Sequence, residues 1–135
     1  MAIGDVLTTY FLALLVFLVL DLLWLGILAR HFYMKHLEKL FADKVKWPAA
    51  GLFYLLFMAG MMIFAVHPAV AQGSFSAALV RGALYGLCTY ATYDLTNLAT
   101  LREWPIPIVV VDIFWGMGLS ATVSVIGFWA ATQMG

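Results

Sequence analysis

The stretch VLTTYFLALLVFLVLDLLWLGILA, Val6–Ala29, decides the fold. A helix needs about 20 predominantly apolar residues to cross a bilayer, and this run exceeds that with a single charge, Asp21. It is too long for the apolar region of a cleaved signal and no basic residue precedes it, so it is expected to stay as a span. Three further stretches read the same way, giving spans over 6–29, 49–66, 76–101 and 106–131. Trp47-Pro48 opens the second, since proline is tolerated where a helix N–H has no partner. His67-Pro68 followed by Gln72-Gly73-Ser74 is expected to close it, and Arg102 to Pro107 separates the third from the fourth. The expected architecture is therefore all-α: one membrane domain over 1–135, folded as a four-helix transmembrane bundle.

Composition agrees. Of 135 residues, 65% are hydrophobic and 10% charged, against roughly a quarter charged in soluble domains. Seven basic and seven acidic residues leave no net field, so no nucleic-acid partner is expected. Membrane lipids are the expected surroundings. Cys88 has no second cysteine to pair with and reads as a small buried hydrophobe. His31, His36 and His67 stand at no metal-ligand spacing, so neither haem nor zinc is expected, and nothing identifies a cofactor.

Five of the seven basic residues, Arg30, Lys35, Lys39, Lys44 and Lys46, lie between spans one and two. The positive-inside rule makes that loop cytoplasmic, so both termini are expected to face the periplasm or exterior. Arg102 agrees, and Arg81 is expected to snorkel to the outer interface. Trp47 and Trp104, with Arg30 and Arg102, mark the interfaces. Within the first loop Tyr33, Met34, Leu37, Leu40 and Phe41 recur at helical spacing opposite Lys35, Glu38 and Lys39. That pattern fits a short amphipathic helix on the membrane surface, or a connector helix packed on the bundle.

Asp21, Asp94 and Asp112 then fall at one depth, roughly 12, 10 and 9 Å from the inner ends of their spans at 1.5 Å per residue. A charge placed there costs at least ~2.5 kcal/mol, which marks a functional candidate or a structural hydrogen-bonding group. Asp21-x-x-Trp24 and Asp112-x-x-Trp115 repeat one pattern, with acid and indole on one helix face. Tyr90, Asp94 and Asn97 share a stripe of span three. Gly82-x-x-x-Gly86 and the face Asp112, Gly116, Ser120, Ser124 read as small-residue surfaces for close helix packing. The expected pocket is Asp21, Trp24, Tyr90, Asp94, Asn97, Asp112 and Trp115.

The string Thr89-Tyr-Ala-Thr-Tyr-Asp-Leu-Thr-Asn-Leu-Ala-Thr-Leu101, followed by Trp104-Pro105, resembles the bacterial membrane family DUF2177. So do Asp21 and Trp24 followed by Arg30, and Asp112-x-x-Trp115-Gly116. The resemblance runs along nearly the whole chain and implies a four-helix inner-membrane protein. It brings no activity, substrate or catalytic residue with it.

Three functions fit these residues. Carboxylates with aromatic faces suit the binding or transport of a small cationic or polar amphiphilic ligand. Transport would require a parallel homo-oligomer or a membrane partner protein, because the strong loop charge bias disfavours an antiparallel dimer. A membrane enzyme could hold Mg²⁺ at Asp21, Asp94 and Asp112 against a lipid or isoprenoid phosphate; no metal is expected otherwise. An accessory subunit would use the aspartates to pair with a partner's helix.

Overall fold

A computed structural model describes residues 2–134. Helix α1, Ile3–Leu23, runs on through a π-helical segment, Trp24–Leu28, and breaks at Ala29, whose N–H donates to the Trp24 carbonyl at 2.7 Å. Helix α2, Arg30–Leu37, follows, ending in a 3₁₀ turn over Glu38–Leu40. Helix α3, Trp47–Met61, passes through a second π segment, Met62–Val66, into α4, His67–Gln72. Two long helices complete the chain: α5, Phe75–Thr100, and α6, Ile106–Met134.

The second long helix does not close at His67-Pro68, where sequence reading ends it. Proline lacks the N–H that would bond the Phe64 carbonyl one turn back. The helix absorbs this loss with the π segment, where the His67 N–H reaches back to Met62. Arg81 Nη1 donates to the freed Phe64 carbonyl at 3.4 Å. That side chain, expected to snorkel outward, thus ties α5 to the π segment. The helix stops at Gly73, which takes the left-handed conformation (φ 61°). The Gly73 and Ser74 N–H groups bond the Val70 and Ala69 carbonyls, the paired bonds that end helices on glycine. Ser74 then caps α5, its Oγ accepting from the Ala77 N–H at 3.0 Å.

Among the described residues, three helical stretches are long and apolar enough to cross a membrane: Ile3–Leu28, Trp47–Gln72 and Ile106–Met134. The fourth long helix, α5, has comparable length but is not among them. Arg81, Asp94, Asn97 and threonines 89, 92, 96 and 100 dilute its apolar residues.

Helices α5 and α6 form the most extensive pairing in the fold. Gly82 and Gly86 of α5 lie against Gly116, Ser120 and Ser124 of α6 so closely that a Cβ at either glycine would enter the opposite backbone or a serine side chain. Ser124 Oγ donates across the seam to the Ala78 carbonyl at 2.7 Å. Helix α1 packs on the other flank of α6, and α1, α3, its π segment and α6 share a core centred on Phe17, Met58, Met61, Val66, Leu119 and Val123. Helix α5 meets the second long helix at Met62–Val66 and α4, and the backbones of α3 and α5 diverge from there. Aromatic side chains span that gap: Tyr85 donates to the Phe57 carbonyl at 2.8 Å, and the Phe57 ring lies 5.1 Å from Tyr85 and 6.1 Å from Tyr90.

Helix α2 folds back on the basic end. Tyr33 and Leu37 are buried there with Ala29 and Ile108, beside Trp24, Phe32 and Trp104.

Candidate ligand-binding site

Near the C-terminal end of α1, Asp21 is only 7% exposed and accepts from the Tyr54 hydroxyl of α3 at 3.0 Å. Asp112, in the second turn of α6, accepts from the Tyr33 hydroxyl of α2 at 2.8 Å. Tyr33 accepts in turn from the Trp24 indole N–H at 3.2 Å. The two Asp-x-x-Trp patterns meet face to face, because Trp24 and Trp115 stack with centroids 4.4 Å apart and planes 6° from parallel. Each aspartate therefore has one tyrosine as donor and stands next to one half of an indole pair. The tyrosines come from helices that carry no aspartate at this level.

These groups wall a cavity of about 650 Å³ at the basic end of the molecule. Asp21 and Asp112 supply its acids and Arg30 its one basic group, while Tyr33, Phe41, Phe53, Tyr54, Phe57, Tyr90, Tyr93, Trp104 and Trp115 supply its aromatic surface. The hydrogen bonds to Asp21 and Asp112 each use one carboxylate oxygen; the second oxygen is unbonded and not sealed off. Mostly apolar walls with a few convergent polar groups are the usual make-up of a small-molecule site.

Of the expected pocket residues, Asp21, Tyr90, Asp112 and Trp115 line the cavity. Trp24 stands behind the wall, holding Tyr33 and Trp115 in place. Tyr90 does double duty, since its ring fills the space that a side chain at Gly116 would need. Asp94 is fully buried next to Asp112 and Trp104, off the cavity surface, and neither of its oxygens has a hydrogen-bond partner. Asn97 lies half-buried beside Tyr93, one turn beyond the cavity. Among the residues expected at the interface, Trp47 is exposed at the start of α3, and Arg102 joins Lys35 and Lys39 around a separate surface hollow. Arg30 and Trp104 belong to the cavity itself. Cys88, read from sequence as buried, is exposed. Among the described residues, no three His, Cys, Asp or Glu side chains gather closely enough to hold a metal ion.

Sequence reading missed Tyr33 and Tyr54 as partners of the acids, taking the first as one apolar position of an amphipathic helix and giving the second no functional role. A signal for Tyr54 exists. It stands seven residues past Trp47, roughly 10 Å into its helix at 1.5 Å per residue, the depth of the aspartates. Tyr33 carries no such signal, because its position depends on α2 folding back.

Tyr33 lies outside the candidate spans, and its environment favours the neutral phenol. Burial raises its pKa most; the Trp24 hydrogen bond opposes this, and the charge and hydrogen bond of Asp112, with the charge of Asp94, add to the rise. The hydroxyl thus remains a donor to Asp112 across the physiological range.

No curated protein and no solved structure matches the chain. A family described as "Predicted membrane protein (DUF2177)" matches residues 6–129, which takes in both Asp-x-x-Trp pairs, the seam glycines and every aromatic residue of the cavity. The chain therefore belongs to the DUF2177 family of predicted membrane proteins.

Proposed function

We propose that this protein is a polytopic bacterial inner-membrane protein that binds a small cationic or polar amphiphilic ligand in the cavity between Asp21 and Asp112. The observation that carries this reading is the pairing of two carboxylates, each with an unbonded accessible oxygen, inside an aromatic enclosure. Carboxylates in apolar surroundings are expensive, and a bound cation offsets that cost. Aromatic faces add cation–π attraction, worth about 2 kcal/mol or more when desolvated.

On this reading α5 is the fourth span of the bundle. Three of its polar side chains meet the other helices: Asp94 is buried, Tyr90 packs on Gly116, and Arg81 is bonded to the Phe64 carbonyl. Loop charge then puts the cavity toward the cytoplasm, with both termini periplasmic and α2 as an interfacial cover. Binding is the primary activity. Transport would add a second requirement, a parallel oligomer or a partner subunit.

The test uses the full chain in lipid nanodiscs, titrated with butyltrimethylammonium and followed by tryptophan fluorescence. Saturable binding is expected, weakened at least tenfold in both Asp21→Asn and Asp112→Asn while thermal unfolding stays cooperative. Unchanged affinity in both variants would sink the proposal.

A further inference from the structure

The cavity does not end at its aromatic walls. Phe53, Phe57 and Thr89 also line a second, shallower groove of about 830 Å³ that continues between α3 and α5. It exists because the two backbones diverge below the Met62–Val66 segment. From Phe53 to Phe64 the groove follows roughly 16 Å of helix at 1.5 Å per residue. It is lined by Leu56, Tyr85 and Cys88 and closes against the stacked Phe64 and Tyr85 rings, 6.4 Å apart.

Its polar residues offer a ligand no hydroxyl proton. Tyr85 spends its hydroxyl proton on the Phe57 carbonyl, Thr89 on the Tyr85 carbonyl at 2.8 Å, and Thr92 on the Cys88 carbonyl. A trough whose donors are all turned back onto backbone presents mainly hydrocarbon and ring faces. Water gains little there, whereas a lipid-like chain fits the chemistry along the whole length. The one junction with the cavity is the Phe53, Phe57 and Thr89 edge, so a chain lying in the groove delivers its polar end to Asp21 and Asp112.

We propose that the cavity and groove form one site for a single-chain amphiphile with a cationic amine head, which reaches it sideways from the bilayer between α3 and α5. The inference rests on the cavity's binding role and adds the ligand class and the route. Charge complementarity selects the head: the open carboxylate oxygens call for a cation and the surrounding rings favour an alkylated ammonium. The continuous apolar trough selects the tail.

Two measurements on the full chain in nanodiscs test it. Dodecyltrimethylammonium carrying a diazirine at its chain terminus is photolysed in place, and adducts are mapped by mass spectrometry. Adducts are expected on the α3 and α5 groove residues, above all Leu56, Phe64 and Cys88, and are expected to fall when unlabelled dodecyltrimethylammonium competes. In parallel, the ratio of dodecyl to butyl affinity is compared between the native chain and Cys88→Trp, which fills the groove from its exposed side. Partitioning of the chain into surrounding lipid is common to both proteins and cancels, so the ratio is expected to drop at least fivefold in the variant. Butyl binding with an unaltered ratio, or adducts confined to the outer faces of α1 and α6, would overturn the lateral site and leave the cavity reading standing. If neither compound binds the native chain, the cavity reading falls as well.

Discussion

Helix α5 has two flanks, and they are built in opposite ways. Toward α6 it presents Gly82 and Gly86, and the helices meet backbone to backbone. Toward α3 it presents Tyr85 and Thr89, and the backbones stand apart with rings between them. In lipid no hydrophobic force drives helices together, so close packing and interhelical hydrogen bonds must do so. The α6 flank exploits that rule fully, and the α3 flank relaxes it. One seam fixes the fold and the other leaves room for chemistry.

The closed seam is the place for the largest effect. A Cβ at Gly86 would enter the Gly116 carbonyl, which is backbone and cannot rotate away. Gly86→Val is expected to cost at least ~3 kcal/mol, the upper range for overpacking, read as a collapse of the unfolding temperature in nanodiscs. A variant as stable as the native chain would mean the two helices are not in backbone contact. On the open side, Tyr33→Phe removes the donor to Asp112 and the acceptor for Trp24 at once. A loss of about 1–3 kcal/mol is expected, since one of those bonds goes to a carboxyl group. Tyr54→Phe, which removes one bond, is expected to cost less than Tyr33→Phe in the same unfolding assay. The reverse order would show that the Trp24–Tyr33–Asp112 chain is not the stronger anchor.

Tyr33 also sharpens the comparison through pH. Its pKa is raised on folding, so the stability it contributes is complete below the ordinary phenol range and is lost progressively as pH rises from there through the folded value. The late-titrating part of the phenolate absorbance is expected to lose one tyrosine's amplitude in Tyr33→Phe. The smallest effect belongs to the hinge between the flanks. Pro68→Ala restores an N–H for the Phe64 carbonyl and makes the Arg81 bond redundant. A double-mutant cycle with Arg81→Gln is expected to give a coupling of about 0.5 kcal/mol. Strict additivity would show that Arg81 does not serve that carbonyl.

Much of the helical architecture was legible in sequence because apolar runs and proline, glycine and tryptophan punctuation speak through composition alone. Asp21, Tyr90, Asp112 and Trp115 were legible because a carboxylate in an apolar run is conspicuous and helical spacing carries its neighbours with it. Tyr33 and Tyr54 were not, because a tyrosine among apolar residues costs little and draws no notice until the acid it serves is known. The π segment at Met62–Val66 was hidden for a different reason: Pro68 announces a missing donor, but the Phe64 carbonyl it frees is met by Arg81, a residue on another helix. Asp94 was placed by the same stripe as Tyr90, yet a stripe cannot tell the wall of a cavity from the layer behind it.

The two-residue turn at Gly73-Ser74 bears on biogenesis. Helix α5 is too polar to be an obvious entrant into lipid alone, whereas Trp47–Gln72 is strongly apolar. With Gly73 ending one helix and Ser74 starting the next, the pair has almost no slack between its arms. On the four-span reading, the two would leave the insertion machinery as a hairpin, and the apolar arm would carry the polar one across. Lengthening that turn with a flexible insert would then strand α5 outside the membrane, even though none of its own residues had changed.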